Sequence, residues 1–230
     1  MASDLDQYQK PSVAVDIVVF TITNNELKVL LIKRGQPPFS GMLSLPGGFV
    51  RINESLESAA LRELEEETGV RDVYLEQLYT FGSPKRDPRG RVISVSYFVL
   101  VDSTKIKPML TGKEMIENVG WFSVTELPKL GFDHDDIIKY ALKRLRYKLE
   151  YTAVGLELLP DLFTLTDLQR MYEIILGQAL DKRNFRKKIL VMGILEQAKL
   201  FKKGAHRPAM LYRFMKGEPL LTFRGFRFEG

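Results

Sequence analysis

Residues Gly48 to Val70 read GFVRINESLESAALRELEEETGV, and their spacing predicts a tight loop running into an acidic helix. Asn53 is the expected N-cap, with Glu54 and Glu57 in the first turn, where carboxylates favour the positive end of the helix. Leu56, Ala60 and Leu64 recur every four residues and give an apolar stripe. Gly69 suits the left-handed residue that closes a helix. On such a helix Glu63, Glu66 and Glu67 share one face, and Arg62 can pair with Glu66 one turn on. Three carboxylates that close repel one another unless a cation lies between them. Clustered hard oxygens suit Mg²⁺ or Mn²⁺ rather than zinc. A Glu-rich helix is also compatible with a plainly solvated acidic face; the glycine loop and the full spacing favour the cation site.

The same stretch resembles the signature of the Nudix hydrolases, G-x5-E-x7-R-E-U-x-E-E-x-G-U with U aliphatic. It matches at Gly48, Glu54, Arg62, Glu63, Leu64, Glu66, Glu67, Gly69 and Val70. The resemblance implies an α/β fold, an α/β/α sandwich, and hydrolysis of a nucleoside diphosphate linked to another moiety. It implies Mg²⁺ or Mn²⁺ held by Glu63, Glu66 and Glu67 with the Gly47 carbonyl. Arg62 is then expected to orient the carboxylates and Glu54 to fix loop and helix. Family members often recruit a further base, for which Glu114 and Glu117 are candidates, although ordinary surface glutamates read equally well there.

The chain has 230 residues, 45% hydrophobic and 27% charged, with no cysteine and a net charge of +5. That composition is ordinary for a globular protein of one or two domains. No apolar run approaches the roughly 18 residues of a membrane span. The polar N-terminus MASDLDQYQKPS does not read as a secretory signal, so a cytoplasmic protein is expected. Charge is uneven: residues 1–150 carry 20 Lys and Arg against 21 Asp and Glu, a net of −1, whereas residues 151–230 carry 14 against 8, a net of +6. Two domains, 1–150 and 151–230, with a polyanionic partner for the second, are expected from this asymmetry.

In the first part, residues 13–21 and 28–34 read as strands around the turn dipeptide Asn24-Asn25. Residues 41–50 read as a short strand followed by a Pro-Gly-Gly loop; further strands are expected near residues 73–81, 92–101 and before Trp121-Phe122, with a helix over residues 136–147. The polar loop KRDPRGR, Lys85 to Arg91, offers Arg86 and Arg89 as bidentate phosphate contacts. It resembles a segment of Nudix domains that handle ADP-ribose. Tyr97, Phe81 and Phe49 are candidate stacking partners for an adenine, but aromatic residues on strands are more often core. His134 and His206 have no partner at metal-ligand spacing.

Beyond residue 151 the texture changes. AVGLELLPDLF reads as a docked linker, and Thr164 to Asp167 as a capping box opening a helix that Gly177 stops. A second helix is expected from Asp181 to about Lys199, followed by a small hairpin. Two helices and a hairpin read as a winged helix-turn-helix. Lys182, Arg183, Asn184, Arg186 and Lys187 are then placed toward a major groove, where Arg and Asn suit base edges and lysines suit phosphates. Arg207, with Lys202, Lys203 and His206, falls before a wing strand where backbone contacts are expected. Phe185, Ile189, Leu190, Met192 and Ile194 are expected to face inward. A basic solvated helix in a dimerisation domain is the competing reading.

The order FTL…LQ…YE…G…LDKRNFRKK resembles the Nudix-related transcriptional regulators of NAD or sugar metabolism. That resemblance implies a Nudix domain sensing ADP-ribose or a related nucleotide, and a winged helix binding double-stranded operator DNA as a homodimer. Regulators of this type often carry degraded boxes, because sensing requires binding without turnover. Here Arg62 and all three glutamates are kept, which favours a regulator that still hydrolyses. The alternative is a plain ADP-ribose pyrophosphatase whose C-terminal domain serves dimerisation only.

Overall fold

The computed structural model describes residues 7–104, 108, 116–149, 152, 154–202 and 208–215. It divides into two compact units, one of Met1–Val19, Val29–Val99 and Lys107–Ala141, the other of Phe20–Lys28, Leu100–Ile106 and Leu142–Gly230. Glu114 lies outside the described residues.

The long sheet begins with β1 (Ser12–Thr23) and β2 (Glu26–Arg34), joined at Asn24 and Asn25. Both asparagines have positive φ, 54° and 62°, the backbone that a two-residue hairpin needs to match strand twist. Val15, Ile17, Val18 and Val19 are all fully buried, so β1 is covered on both faces and reads as a continuous apolar run. Strands β3 (Leu43–Ser44), β4 (Gly47–Phe49), β5 (Glu76–Phe81), β6 (Val92–Leu100) and β7 (Ile116–Ser123) complete it. The order is β3-β2-β1-β6-β5, with β4 paired to β1 and β7 to β2. Residues Gly47 to Phe49, expected as loop, form a strand because β1 offers them partners: Asp16 faces Gly47 and Val15 faces Gly48.

Helix α1 (Leu56–Thr68) follows, and Gly69 closes it at φ 71°, as its sequence predicts. Its N-cap differs. Ser55, not Asn53, accepts from the Ser58 N–H, because Glu54 is drawn back out of the first turn to meet Arg62. Helix α2 (His134–Leu149) buries Ile137, Ile138, Ala141, Leu145 and Leu149.

In the second unit a short 3₁₀ turn (Val154–Leu158) leads to α3 (Leu165–Leu176) and α4 (Lys182–Val191). Both halves of the Thr164–Asp167 capping box form, and Gly177 ends α3 at φ 73°. Thr164→Ala removes the acceptor for the Asp167 N–H, with an expected loss of about 1 kcal/mol in a urea unfolding experiment. Leu168, Met171, Tyr172 and Ile175 of α3 pack with Phe185 and Ile189 of α4 in the buried core, where the Tyr172 and Phe185 rings meet at 5.4 Å.

Helix α4 stops at Val191, eight residues short of Lys199. Gly193 takes a left-handed φ of 66°, and β8 (Leu195–Lys202) pairs antiparallel with β9 (Ala209–Phe214). The charged, helix-compatible run LEQAKLFK is strand because β9 supplies the ladder. Leu190, expected inside, is therefore on the exposed end of the helix, whereas Ile194 is buried. Phe163 extends the hairpin through two backbone hydrogen bonds with Tyr212.

Candidate functional site

Arg62 is the hub of the α1 site. Its Nε and Nη2 donate to the two oxygens of Glu54 at 2.9 and 2.6 Å. Its Nη1 donates to Glu63 Oε1 at 2.6 Å and, more weakly, to Glu66 Oε2 at 3.4 Å. Its Nη2 also reaches the Phe49 carbonyl at 3.3 Å. These carboxylates raise the Arg62 pKa, Glu54 foremost. Conversely the hydrogen bonds from Arg62, then from the Arg51 N–H, hold Glu54 down at about 2. The pairing is a fork on a carboxylate, which fixes orientation as well as charge.

Glu63 and Glu67 are buried, whereas Glu66 stands half-exposed beside Arg51. Glu67 Oε2 accepts the Gly47 N–H at 2.9 Å, which ties α1 to β4. Glycine is required on that strand by space: a Cβ on Gly48 would overlap the Glu63 carboxylate, and one on Gly47 would overlap the Val15 carbonyl. The donor chemistry, three carboxylates on one helix face beside a backbone strand, fits a hard divalent cation. They are not gathered into a cage, since among the described residues no three acidic or histidine side chains converge as a metal-holding group. Gly48→Ala displaces the Glu63 carboxylate, so divalent-cation binding is expected to weaken about ten- to hundredfold in calorimetry, as for a lost supporting contact.

The RDPRGR loop departs from expectation. Arg86 is buried, and its Nε and Nη2 donate to Asp133 at 3.0 and 2.7 Å, with Nη2 also 3.0 Å from Asp16. It anchors the loop rather than presenting a fork to a phosphate. Asp16 also accepts from Ser94 Oγ at 2.5 Å and lies 3.3 Å from His134 Nε2. Burial works to raise the Asp16 pKa, but His134, Arg86 and Ser94 outweigh it and hold the carboxylate ionised. His134 Nδ1 accepts the Leu45 N–H at 2.9 Å, while Nε2 faces Asp16. His134 is a structural residue that fixes the backbone two residues before Gly47.

Tyr97, a candidate stacking partner, lies in the core instead. Its ring is buried and its hydroxyl donates to Glu57 at 3.2 Å. Burial first, then the Glu57 carboxylate, push the phenol up to about 12. Arg89 is the loop residue that faces outward. Its Nε and Nη2 donate to Asp87 at 3.0 and 2.7 Å, and its guanidinium lies over the Phe49 ring at 5.0 Å. The cleft beside α1 is lined by Asp16, Arg34, Gly47, Phe49, Arg89 and Phe132, among others. Sequence reasoning missed Asp16, Asp133, Arg34 and Phe132. A signal existed for Asp16 alone, a single acid inside the apolar run VAVDIVVFT. A larger open groove in the second unit, lined by Gln169, Arg170 and Glu173 among others, holds none of these residues.

On α4, Lys182, Arg183, Asn184 and Lys187 are exposed, while Phe185 and Ile189 point into the core. Arg183 and Lys187 are one turn apart and so share a face. Arg186 is half-buried, its Nη2 donating to Thr166 Oγ1 at 3.3 Å. Its Nε is buried with no hydrogen-bond partner, so Arg186 belongs partly to the α3–α4 packing. Arg207, Lys203, His206 and the Glu117 side chain lie outside the described residues.

Residues 12–141 match the family model described as NUDIX domain. Residues 155–214 match the one described as NrtR DNA-binding winged helix domain. The chain is 40% identical over 219 residues to an ADPR responsive transcriptional repressor NtrR of Acinetobacter baylyi, covering 91% of this chain and 86% of that one. It is 42% identical over 132 residues to an ADP-ribose pyrophosphatase of Methanocaldococcus jannaschii, covering 57% of this chain and 73% of that one. Among solved structures, Shewanella oneidensis NrtR complexed with a 27mer DNA superposes with a TM-score of 0.78 at 36% identity, over 88% of this chain and 93% of that one. The NUDIX domain of the same protein complexed with ADP ribose superposes with a TM-score of 0.57 at 37% identity, over 63% of this chain and 94% of that one.

Proposed function

The chain belongs to the Nudix family, among the members that carry an NrtR winged helix domain, and on that premise we propose that it is an ADP-ribose-responsive, DNA-binding transcriptional repressor. The observation that carries this reading is the continuous likeness to such a repressor across both domains. We assign ligand sensing to residues 1–150 and DNA binding to residues 151–230. Lys182, Arg183, Asn184 and Lys187 face the DNA, and Arg207 is assigned to the same interface from the sequence. Arg186 contributes there only beyond its packing role. A homodimer fits two half-sites of an operator. No helix among the described residues is long and apolar enough to cross a membrane.

The site on α1 favours a protein that also hydrolyses its ligand, because the full set of Glu54, Arg62, Glu63, Glu66 and Glu67 is present and oriented. Family members of the pyrophosphatase type use a divalent metal, and Mg²⁺ or Mn²⁺ would be held here by Glu63, Glu66, Glu67 and the Gly47 carbonyl. When bound, it supplies charge neutralisation on the diphosphate. The chain's own part is positional. Arg62 holds the Glu63 and Glu66 carboxylates at fixed angles, Glu54 holds Arg62, and Glu67 ties the helix to the glycine strand.

The test is a titration against DNA upstream of the gene and its neighbours, at two salt concentrations, with and without ADP-ribose. Tight, sequence-selective binding that ADP-ribose weakens is expected. By linkage, DNA must then weaken ADP-ribose binding by the same factor. Weak, sequence-blind binding to every candidate DNA would make the plain pyrophosphatase the better account.

A further inference from the structure

The backbone arm of the α1 site is held from outside the helix. The three carboxylates of α1 do not form a cage by themselves, since among the described residues no three acidic or histidine side chains converge. A hard cation seated there draws on backbone oxygen as well, and so on where the run Leu45 to Gly47 lies. Beside the strand pairing, residues 43–47 are tied at four points. The Gly131 N–H donates to the Leu43 carbonyl and the Ile17 N–H to the Pro46 carbonyl, each at 2.9 Å. The Gly47 N–H donates to Glu67 Oε2 at 2.9 Å. The Leu45 N–H donates to His134 Nδ1 at 2.9 Å, across 89 residues of sequence. Of the four, only this last one ends on a side chain outside α1.

His134 is gripped on its other side too. It opens α2 and is buried, with its Nε2 3.3 Å from Asp16 Oδ1. Asp16 is in turn held by Arg86 at 3.0 Å and by Ser94 at 2.5 Å. It is also the β1 residue that faces Gly47 across the sheet. One ring nitrogen therefore meets the backbone arm, and the other meets the strand with which that arm pairs. A buried N–H left without an acceptor is costly, so the Leu45 peptide follows the position of Nδ1.

We propose that His134 is a positioning residue of the cation site. Through the Leu45 N–H it fixes the run Leu45-Pro46-Gly47, and with it the Gly47 carbonyl. Asp16 orients the ring for that task. The role is played through the backbone, as it is for the supporting residues that orient metal ligands. This rests on the reading of the α1 face as a divalent-cation site.

Two substitutions separate the two ends of the ring. Asparagine carries its amide oxygen near the place of Nδ1, so His134→Asn keeps an acceptor for Leu45 and gives up Asp16. Glutamine carries its amide one bond farther out, so His134→Gln keeps a donor for Asp16 and gives up Leu45. Calorimetry measures Mn²⁺ affinity for the nucleotide-free, full-length wild type and both variants. Melting temperatures and the Mg²⁺ dependence of ADP-ribose hydrolysis are recorded alongside. His134→Gln is expected to weaken Mn²⁺ binding about tenfold and to raise the Mg²⁺ needed for half-maximal turnover in step, with turnover recovered at saturating Mg²⁺. His134→Asn is expected to retain most of the wild-type affinity. A histidine that only supports the fold would lower both melting temperatures and leave the cation affinity of the folded protein unmoved. Mn²⁺ affinity within twofold of wild type in His134→Gln overturns the proposal, as does an equal loss in both variants. If His134→Gln does not fold, Asp16→Asn, which loosens the far side of the ring, decides by the same twofold limit. If wild type itself binds no Mn²⁺, the cation-site reading falls, and the positioning role falls with it.

Discussion

Glu67→Gln is expected to lower Mg²⁺-dependent hydrolysis of ADP-ribose by at least two orders of magnitude while leaving the fold intact. The carboxylate is buried and accepts the Gly47 N–H at 2.9 Å. Glutamine keeps an acceptor oxygen for that bond, so β4 stays tied to α1. What disappears is the negative charge beside Glu63 and Glu66, on which a divalent ion depends. Each tenfold loss corresponds to about 1.4 kcal/mol of transition-state stabilisation. The check is turnover at saturating Mg²⁺ together with the melting temperature. Unchanged turnover would remove Glu67 from the machinery. A wild type that binds ADP-ribose without hydrolysing it would instead describe a pure sensor.

The second large effect belongs to α4. Arg183→Ala combined with Lys187→Ala is expected to weaken operator binding at least a hundredfold and to flatten its salt dependence. Both side chains are exposed and one turn apart. A base-contacting arginine contributes about 1–3 kcal/mol, and each lost phosphate contact lowers the salt slope by about 0.9. Arg186 is left out of this pair on structural grounds. Its Nη2 bonds Thr166 and its Nε is buried, so a change there alters the α3–α4 packing as well as the charge. DNA affinity that stays within a few-fold in the double variant, with the melting temperature unchanged, counts against α4 as the reading helix.

Local spacing carried a good deal of this. Gly69 and Gly177 end their helices in the left-handed conformation their positions predict. The Thr164–Asp167 box forms as written. Glu66 meets Arg62, and Glu63 shares a face with Glu66 and Glu67, because three and four residues of helix bring them there. The errors fall where a distant partner decides. Asn53 lost the cap to Ser55 because Glu54 turns back toward Arg62, eight residues away. Residues 195–202 are strand because β9 pairs with them, although their own pattern suits a helix.

The RDPRGR loop shows the division most clearly. Its residues alone mark two arginines as phosphate ligands, and nothing in the segment distinguishes them. Asp16 and Asp133, 70 and 47 residues from Arg86, take that guanidinium into the interior, leaving Arg89 at the cleft. Arg34 and Phe132 join it only because β2 and the segment before α2 meet there. The family, the acidic helix with its clustered carboxylates and the capped helices of the winged unit were written in short windows of sequence, where helical and turn geometry set the spacing. Which arginine is structural, which aromatic ring is buried and where α4 yields to a strand were decided by sheet order and burial, which bring together residues that no window contains.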